Sequence, residues 1–102
     1  MPKHLPNLRE ATFLMILTGG EKYGREIRDL YQKRTNQQLP LGSLYTTLDR
    51  MEDQGFISSR MGDPNPDRGG NRRKFYKITT PGLKALNSVR AAAAMFGKVV
   101  TT

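Results

Sequence analysis

Two blocks, LGSLYTTLDRMEDQGFISS at Leu41–Ser59 and RRKFYKIT at Arg72–Thr79, decide the fold of this chain. In the first, Leu44, Leu48 and Met51 recur at i, i+4 and i+7, the spacing of one helical face. Gly55 stands where a helix ends in a left-handed residue. The predicted helix runs from about Ser43 to Gln54. At about 100° per residue, Ser43, Thr46, Arg50 and Asp53 fall on the side opposite the apolar stripe. Phe56–Arg60 and Arg72–Thr79 then read as two strands. The segment between them, MGDPNPDRGGN, is a loop because its prolines and glycines cannot continue a ladder. Arg68, Arg72, Arg73, Lys74 and Lys77 crowd the tip and return strand, and no acid follows Asp67.

Working outward, 102 residues make one domain with a modest core. Seventeen Lys and Arg against nine Asp and Glu give a formal charge of +8 and a pI near 10.2. That balance favours a polyanionic partner, nucleic acid before an anionic membrane surface. The chain has no cysteine, so a disulfide framework, a thiolate nucleophile and a Cys-type zinc site are excluded. Its one histidine, His4, sits at an N-terminus expected to fray. No metal site or cofactor is expected. The longest apolar run, Ala11–Leu17, is broken by Thr12 and far shorter than the roughly 18 residues of a spanning helix. A cytoplasmic, nucleoid-associated protein is expected, with no membrane partner.

The first helix is predicted at Leu8–Leu17, with Asn7 and Glu10 forming a capping box. Leu8, Ala11, Leu14, Met15 and Leu17 are its expected buried side, and Gly19-Gly20 ends it. A second helix, about Tyr23–Arg34, has Tyr23, Ile27, Leu30 and Tyr31 on one face. Leu39-Pro40-Leu41 is expected to be an extended connector, because proline disfavours helix in the residue before it. A last helix starts at Thr80 as cap with Pro81 in its first turn. Along it Leu86, Val89, Ala93 and Phe96 step at 3 and 4, a coiled-coil-like seam.

A helix with short hydroxyls at Ser43, Thr46 and Thr47 lets its backbone approach a duplex, and Arg50 suits paired contact with guanine. A solvated surface helix explains the same residues until the hairpin beside it is considered. There Arg68, Asn71, Arg72, Arg73 and Lys74 lie on a glycine-bearing arm suited to phosphates or a narrow minor groove. Tyr31 and Tyr76 are assigned to the core. Tyr23 and Tyr45 lie near helix starts, where a phenol reaches a phosphate. Together these features predict an α+β, mainly α fold: a winged helix-turn-helix of three helices and a β-hairpin wing, followed by a C-terminal dimerisation helix. The expected division is 1–79 for DNA binding and 80–102 for dimerisation.

YGREI at Tyr23–Ile27, LGSLYTTLDRMEDQGFI at Leu41–Ile57, the RGG and RRKFYKIT of the wing, and TPGLKAL at Thr80–Leu86 resemble the PadR family of bacterial transcriptional regulators. The similarity covers the chain from about Leu8 to Phe96. It implies a homodimeric repressor on inverted-repeat, double-stranded DNA, often responsive to small aromatic or amphiphilic compounds. It also implies that the block around Gly42, Ser43, Tyr45 and Thr46 opens the recognition helix, and that Arg68–Lys74 form the wing tip. By the same resemblance Tyr23 starts the helix that crosses the DNA backbone. Two departures stand out: Pro40-Leu41 replaces the polar cap common in the family, and the C-terminal region is minimal.

The expected dimer interface is Leu83, Leu86, Val89, Ala93 and Phe96. An apolar or aromatic effector is expected near Phe13, Met95 and Phe96. The competing reading is a basic winged helix that binds structured RNA or a protein without controlling promoters. An enzyme is not expected, because no nucleophile–base pair, phosphate-cradling loop or carboxylate pair is present.

Overall fold

The computed structural model describes residues 5–64 and 72–101, with side chains as far as Phe96. Four helices and a small sheet follow in the order α1 (Leu8–Leu17), β1 (Lys22–Tyr23), α2 (Gly24–Thr35), α3 (Leu41–Asp53), β2 (Ile57–Met61), β3 (Lys74–Ile78) and α4 (Thr80–Thr101). This is the predicted winged helix, mainly helical with an antiparallel sheet.

Helix α1 starts where expected. The Asn7 side chain accepts from the Glu10 N–H at 2.8 Å, and Glu10 Oε1 accepts from the Asn7 N–H at 2.9 Å. Its buried side differs from the prediction. Leu8 is 85% exposed, while Glu10, Phe13 and Ile16 are buried. The helix packs against α2, β3 and α4 together, so every side after the first turn is covered and no single stripe describes it.

The sheet has the order β1-β3-β2. The hairpin pairs Ile57 with Ile78 and Met61 with Lys74. The third strand, Lys22–Tyr23 against Phe75-Tyr76, was absent from the prediction, because two residues carry no alternation to detect. Tyr23 consequently precedes α2 instead of opening it. Its N–H donates to Glu26 Oε1 at 3.1 Å.

The α2–α3 connection is held by side chains of α2. Arg28 Nε donates to the Leu39 carbonyl at 2.6 Å, and the Leu39 N–H donates to Gln32 Oε1 at 2.9 Å. These bonds satisfy linker backbone while Leu39 itself is buried in the core. Helix α3 then begins at Leu41, two residues before the predicted start. Pro40 occupies the cap position, and its carbonyl accepts from the Leu44 N–H at 3.0 Å. Proline supplies the non-helical backbone and the carbonyl of a cap, but no side-chain bond to the first-turn N–H groups. Leu44, Leu48 and Met51 point into the core as predicted, and Gly55 takes φ +79°.

Helix α4 is capped one residue earlier than expected. Thr79 Oγ1 accepts from the Gly82 N–H at 3.1 Å and donates to the Gly55 carbonyl at 2.6 Å. A Cβ on Gly82 would lie 2.0 Å from the Phe56 carbonyl oxygen, so glycine is what lets α4 reach the sheet. Ala85 and Leu86 enter the core, where α4 packs against α1. Leu86 is wholly buried within its own chain, so it is a core residue and not part of a surface seam. The molecule measures 57 × 30 × 22 Å.

Candidate nucleic-acid interface

On α3 the buried positions Leu44, Thr47, Leu48 and Met51 define one side of the helix. Turning 100° per residue, the ridge opposite them is Gly42, Thr46, Asp49 and Asp53, all exposed. Thr47 does not reach this surface. It is 2% exposed, and its hydroxyl donates to the Ser43 carbonyl at 2.8 Å, the usual way a helix satisfies a buried threonine. Ser43 is half-buried on the edge of the packed side.

The two flanks of the ridge are built differently. On the wing side, Tyr45 leans over Gly24 at the start of α2. A Cβ at Gly24 would sit 2.9 Å from the Tyr45 ring, which explains why glycine follows Tyr23. Tyr23, Gly24, Arg25, Tyr45, Met61, Arg72, Arg73 and Lys74 line a cleft of about 590 Å³ there. The Arg73 guanidinium lies 4.0 Å from the centre of the Tyr23 ring, within cation–π range. Tyr23 also meets Phe75 edge-on, with centroids 6.0 Å apart. Residues from α2, α3 and both arms of the hairpin therefore meet in one basic, aromatic-walled cleft.

The wing cations also have internal partners. Arg72 Nε donates to the Gly62 carbonyl at 2.7 Å, and the Gly62 N–H donates to the Arg73 carbonyl at 2.6 Å. Lys74 Nζ lies 3.7 Å from Glu52 Oε1, while the other Glu52 oxygen accepts from the Ser59 hydroxyl. These contacts fasten the wing to α3. At the hairpin's outer edge Arg60 grips Glu21 through Nε at 2.9 Å and Nη2 at 2.6 Å. That contact holds the Glu21 carboxyl below its usual range. Arg68 and Asn71, also assigned to the wing from sequence, lie outside the described residues.

Arg50 stands on the other flank, away from the wing. Its Nε donates to Glu10 Oε2 at 3.2 Å, and Glu10 is only 1% exposed. One carboxylate thus joins the start of α1 to α3. The prediction put Arg50 opposite the core stripe; the structure puts it beside α1. Sequence reading identified Glu10 as a helix cap, but its second oxygen reaches Arg50 only through α1–α3 packing, which has no local signal. Arg25 was also missed, since on α2 alone it is one of several exposed cations.

The residues assigned to dimerisation separate along α4. Leu86 is internal and Val89 packs against the core, while Leu83, Ala93 and Phe96 are exposed. Phe13 is wholly buried, edge-on to Tyr31 at 5.4 Å, whereas Met95 and Phe96 are each 71% exposed. A single chain therefore does not gather Phe13, Met95 and Phe96 into one open pocket.

Residues 13–88 match the model of the transcriptional regulator PadR-like family. The chain belongs to that family. Its PadR-like fold recurs in a PadR family transcription regulator from Clostridium difficile R20291. That structure is 28% identical with a TM-score of 0.79, covering 93% of this chain and 96% of that one. A PadR-like transcriptional regulator from Bacillus cereus strain ATCC 14579 is 28% identical with a TM-score of 0.75, covering 90% and 86%. Bacillus subtilis PadR, solved in complex with operator DNA, shares the fold at 21% identity and a TM-score of 0.70, covering 80% and 46%. No curated protein sequence matches the chain. Membership makes this PadR-like chain a DNA-binding transcriptional regulator and not an enzyme. Among the described residues no helix is long and apolar enough to cross a membrane.

Proposed function

We propose that this PadR-like regulator is a cytoplasmic, nucleoid-associated homodimer that represses transcription from an inverted-repeat operator. One observation carries the reading: the exposed ridge of α3 lies beside a cleft whose walls are Tyr23, Arg25, Tyr45, Arg72, Arg73 and Lys74. The ridge is narrow and bears small or short polar groups, which suits a major groove about 12 Å wide. Thr46 is suited to a base edge or a thymine methyl, and Asp49 to the amino group of cytosine. Tyr23, Ser43, Tyr45 and the wing cations are assigned to phosphates, which set register without reading sequence.

The dimer reading rests on α4. Ala93 and Phe96 continue the stripe that Ala85 and Leu86 bury and Val89 half-buries within the chain, but past Val89 that stripe is exposed. A second copy of the same helix is its proposed cover, so residues 80–102 serve both the core and the dimer. An apolar or aromatic effector would act there, between Met95 and Phe96 of two copies. It would need different affinities for two dimer arrangements to move operator binding.

The test is titration of labelled duplexes from the DNA flanking the gene, with excess unrelated duplex as competitor. Wild-type protein should retain one fragment. Thr46→Ala should narrow the gap between that fragment and competitor, whereas Arg73→Ala should weaken both alike. Retention of structured RNA in preference to every duplex would overturn the reading.

A further inference from the structure

We propose that the flank of α3 opposite the wing holds a second phosphate seat, formed by Arg9 and Arg50. This inference rests on the DNA-binding reading above and adds a site on α1 to it. A shallow cavity of about 330 Å³ lies there, lined by Asn7, Leu8, Arg9, Tyr31, Gln37 and Arg50. Both guanidinium groups are held from behind. Glu10 takes Arg50 through Nε at 3.2 Å, which leaves the two terminal amino groups without a hydrogen-bonding partner among the described residues. The Arg9 guanidinium lies over the Tyr31 ring, 5.9 Å from its centre. The Glu10 carboxylate offsets one positive charge, so the pair keeps a net charge of about +1, enough for one phosphodiester. A carboxylate that is buried and already doubly bonded leaves Arg50 little freedom, so Glu10 acts as a positioning residue.

The placement has a geometric reason. A helix lying in a major groove has a sugar–phosphate strand on each side. The wing cleft supplies cations on one flank of the ridge, and Arg9 with Arg50 supplies them on the other. Arg50 is therefore assigned to phosphate, and base reading to Thr46 and Asp49.

An arginine pair also accepts a free phosphate, so the test has to separate the two sources. Full-length protein would be titrated with the duplex it retains and with random duplex, across a range of salt. At 0.1 M salt one phosphate contact is worth about eightfold in affinity, and its loss lowers the salt slope by about 0.9. Arg9→Gln should show both effects equally on the two duplexes, and Arg9→Lys should restore the slope. The double variant Glu10→Gln/Arg50→Gln, which strands no buried charge, should lose a similar increment. A purely structural Arg9 would lower the melting temperature and leave the slope unmoved, which would overturn the seat while wild-type DNA binding stands. In a second arm, inorganic phosphate is added at fixed ionic strength while the Arg9 and Arg50 Nε–H resonances are followed. Bound duplex should block their response. An equal response with and without duplex would mean that the seat serves a free anion and not DNA. Failure of wild-type protein to bind any duplex would remove the DNA reading itself, and the seat with it.

Discussion

Glu10 is the residue on which helix packing and the proposed DNA surface meet. It is buried, caps α1 through Oε1 and holds Arg50 through Oε2. Arg50→Ala would leave that carboxylate half-partnered. Because Arg50 is 49% exposed, water screens part of the loss, and we expect a cost of about 1–2 kcal/mol in urea denaturation. The double variant with Glu10→Gln should recover part of it. Tyr76 gives a pH signature. Burial, with Asp49, Tyr45 and Glu52 nearby, pushes its phenol up to about 12. In the unfolded chain the same group titrates at about 10. Its contribution is thus fully present below about pH 10 and is lost as pH rises toward about 12. Melting temperatures measured across that window should fall less steeply for Tyr76→Phe than for wild type. Any side chain at position 82 meets the Phe56 carbonyl, so Gly82→Ala should destabilise by about 3 kcal/mol, read as a lowered denaturation midpoint.

The elements were legible in proportion to how much of their pattern is local. Asn7 with Glu10, and Leu44 with Leu48 and Met51, placed α1 and the body of α3, since caps and helical stripes repeat within a few residues. Pro40 misled because a proline that keeps Leu39 out of helix was extended to Leu41 as well, although its carbonyl accepts the first bond of α3. β1 could not be seen: its two residues are a strand only because Phe75 and Tyr76 lie beside them. The aromatic and basic character of the wing cleft was visible in Tyr23, Tyr45 and Arg73, yet the stacking of Arg73 on Tyr23 depends on that same tertiary pairing. Leu86 was misassigned for a related reason. One continuous stripe on α4 serves two partners, and spacing does not tell where the first ends. Substitution separates them. Leu86→Ala should cost about 2–5 kcal/mol of folding stability, as for a wholly buried leucine. Phe96→Asp should leave the fold intact and shift micromolar protein from dimer to monomer in sedimentation.

The formal charge of +8 serves several distinct purposes across the molecule. Arg28 ties down the α2–α3 linker and Arg60 grips Glu21, while the cations beside Tyr23 and Tyr45 converge on one cleft next to the exposed ridge of α3. In the proposed dimer the two ridges must meet successive major grooves, so their separation follows the helical repeat of DNA. The most direct measurement is a nuclease footprint of the wild-type protein on DNA flanking its gene, with competitor DNA present. Two protected half-sites of opposite orientation are expected, with centres about 34–36 Å, or a multiple of that, apart. Protection of a single half-site by a monomer, or none that survives competitor, would contradict the proposed dimer on its operator.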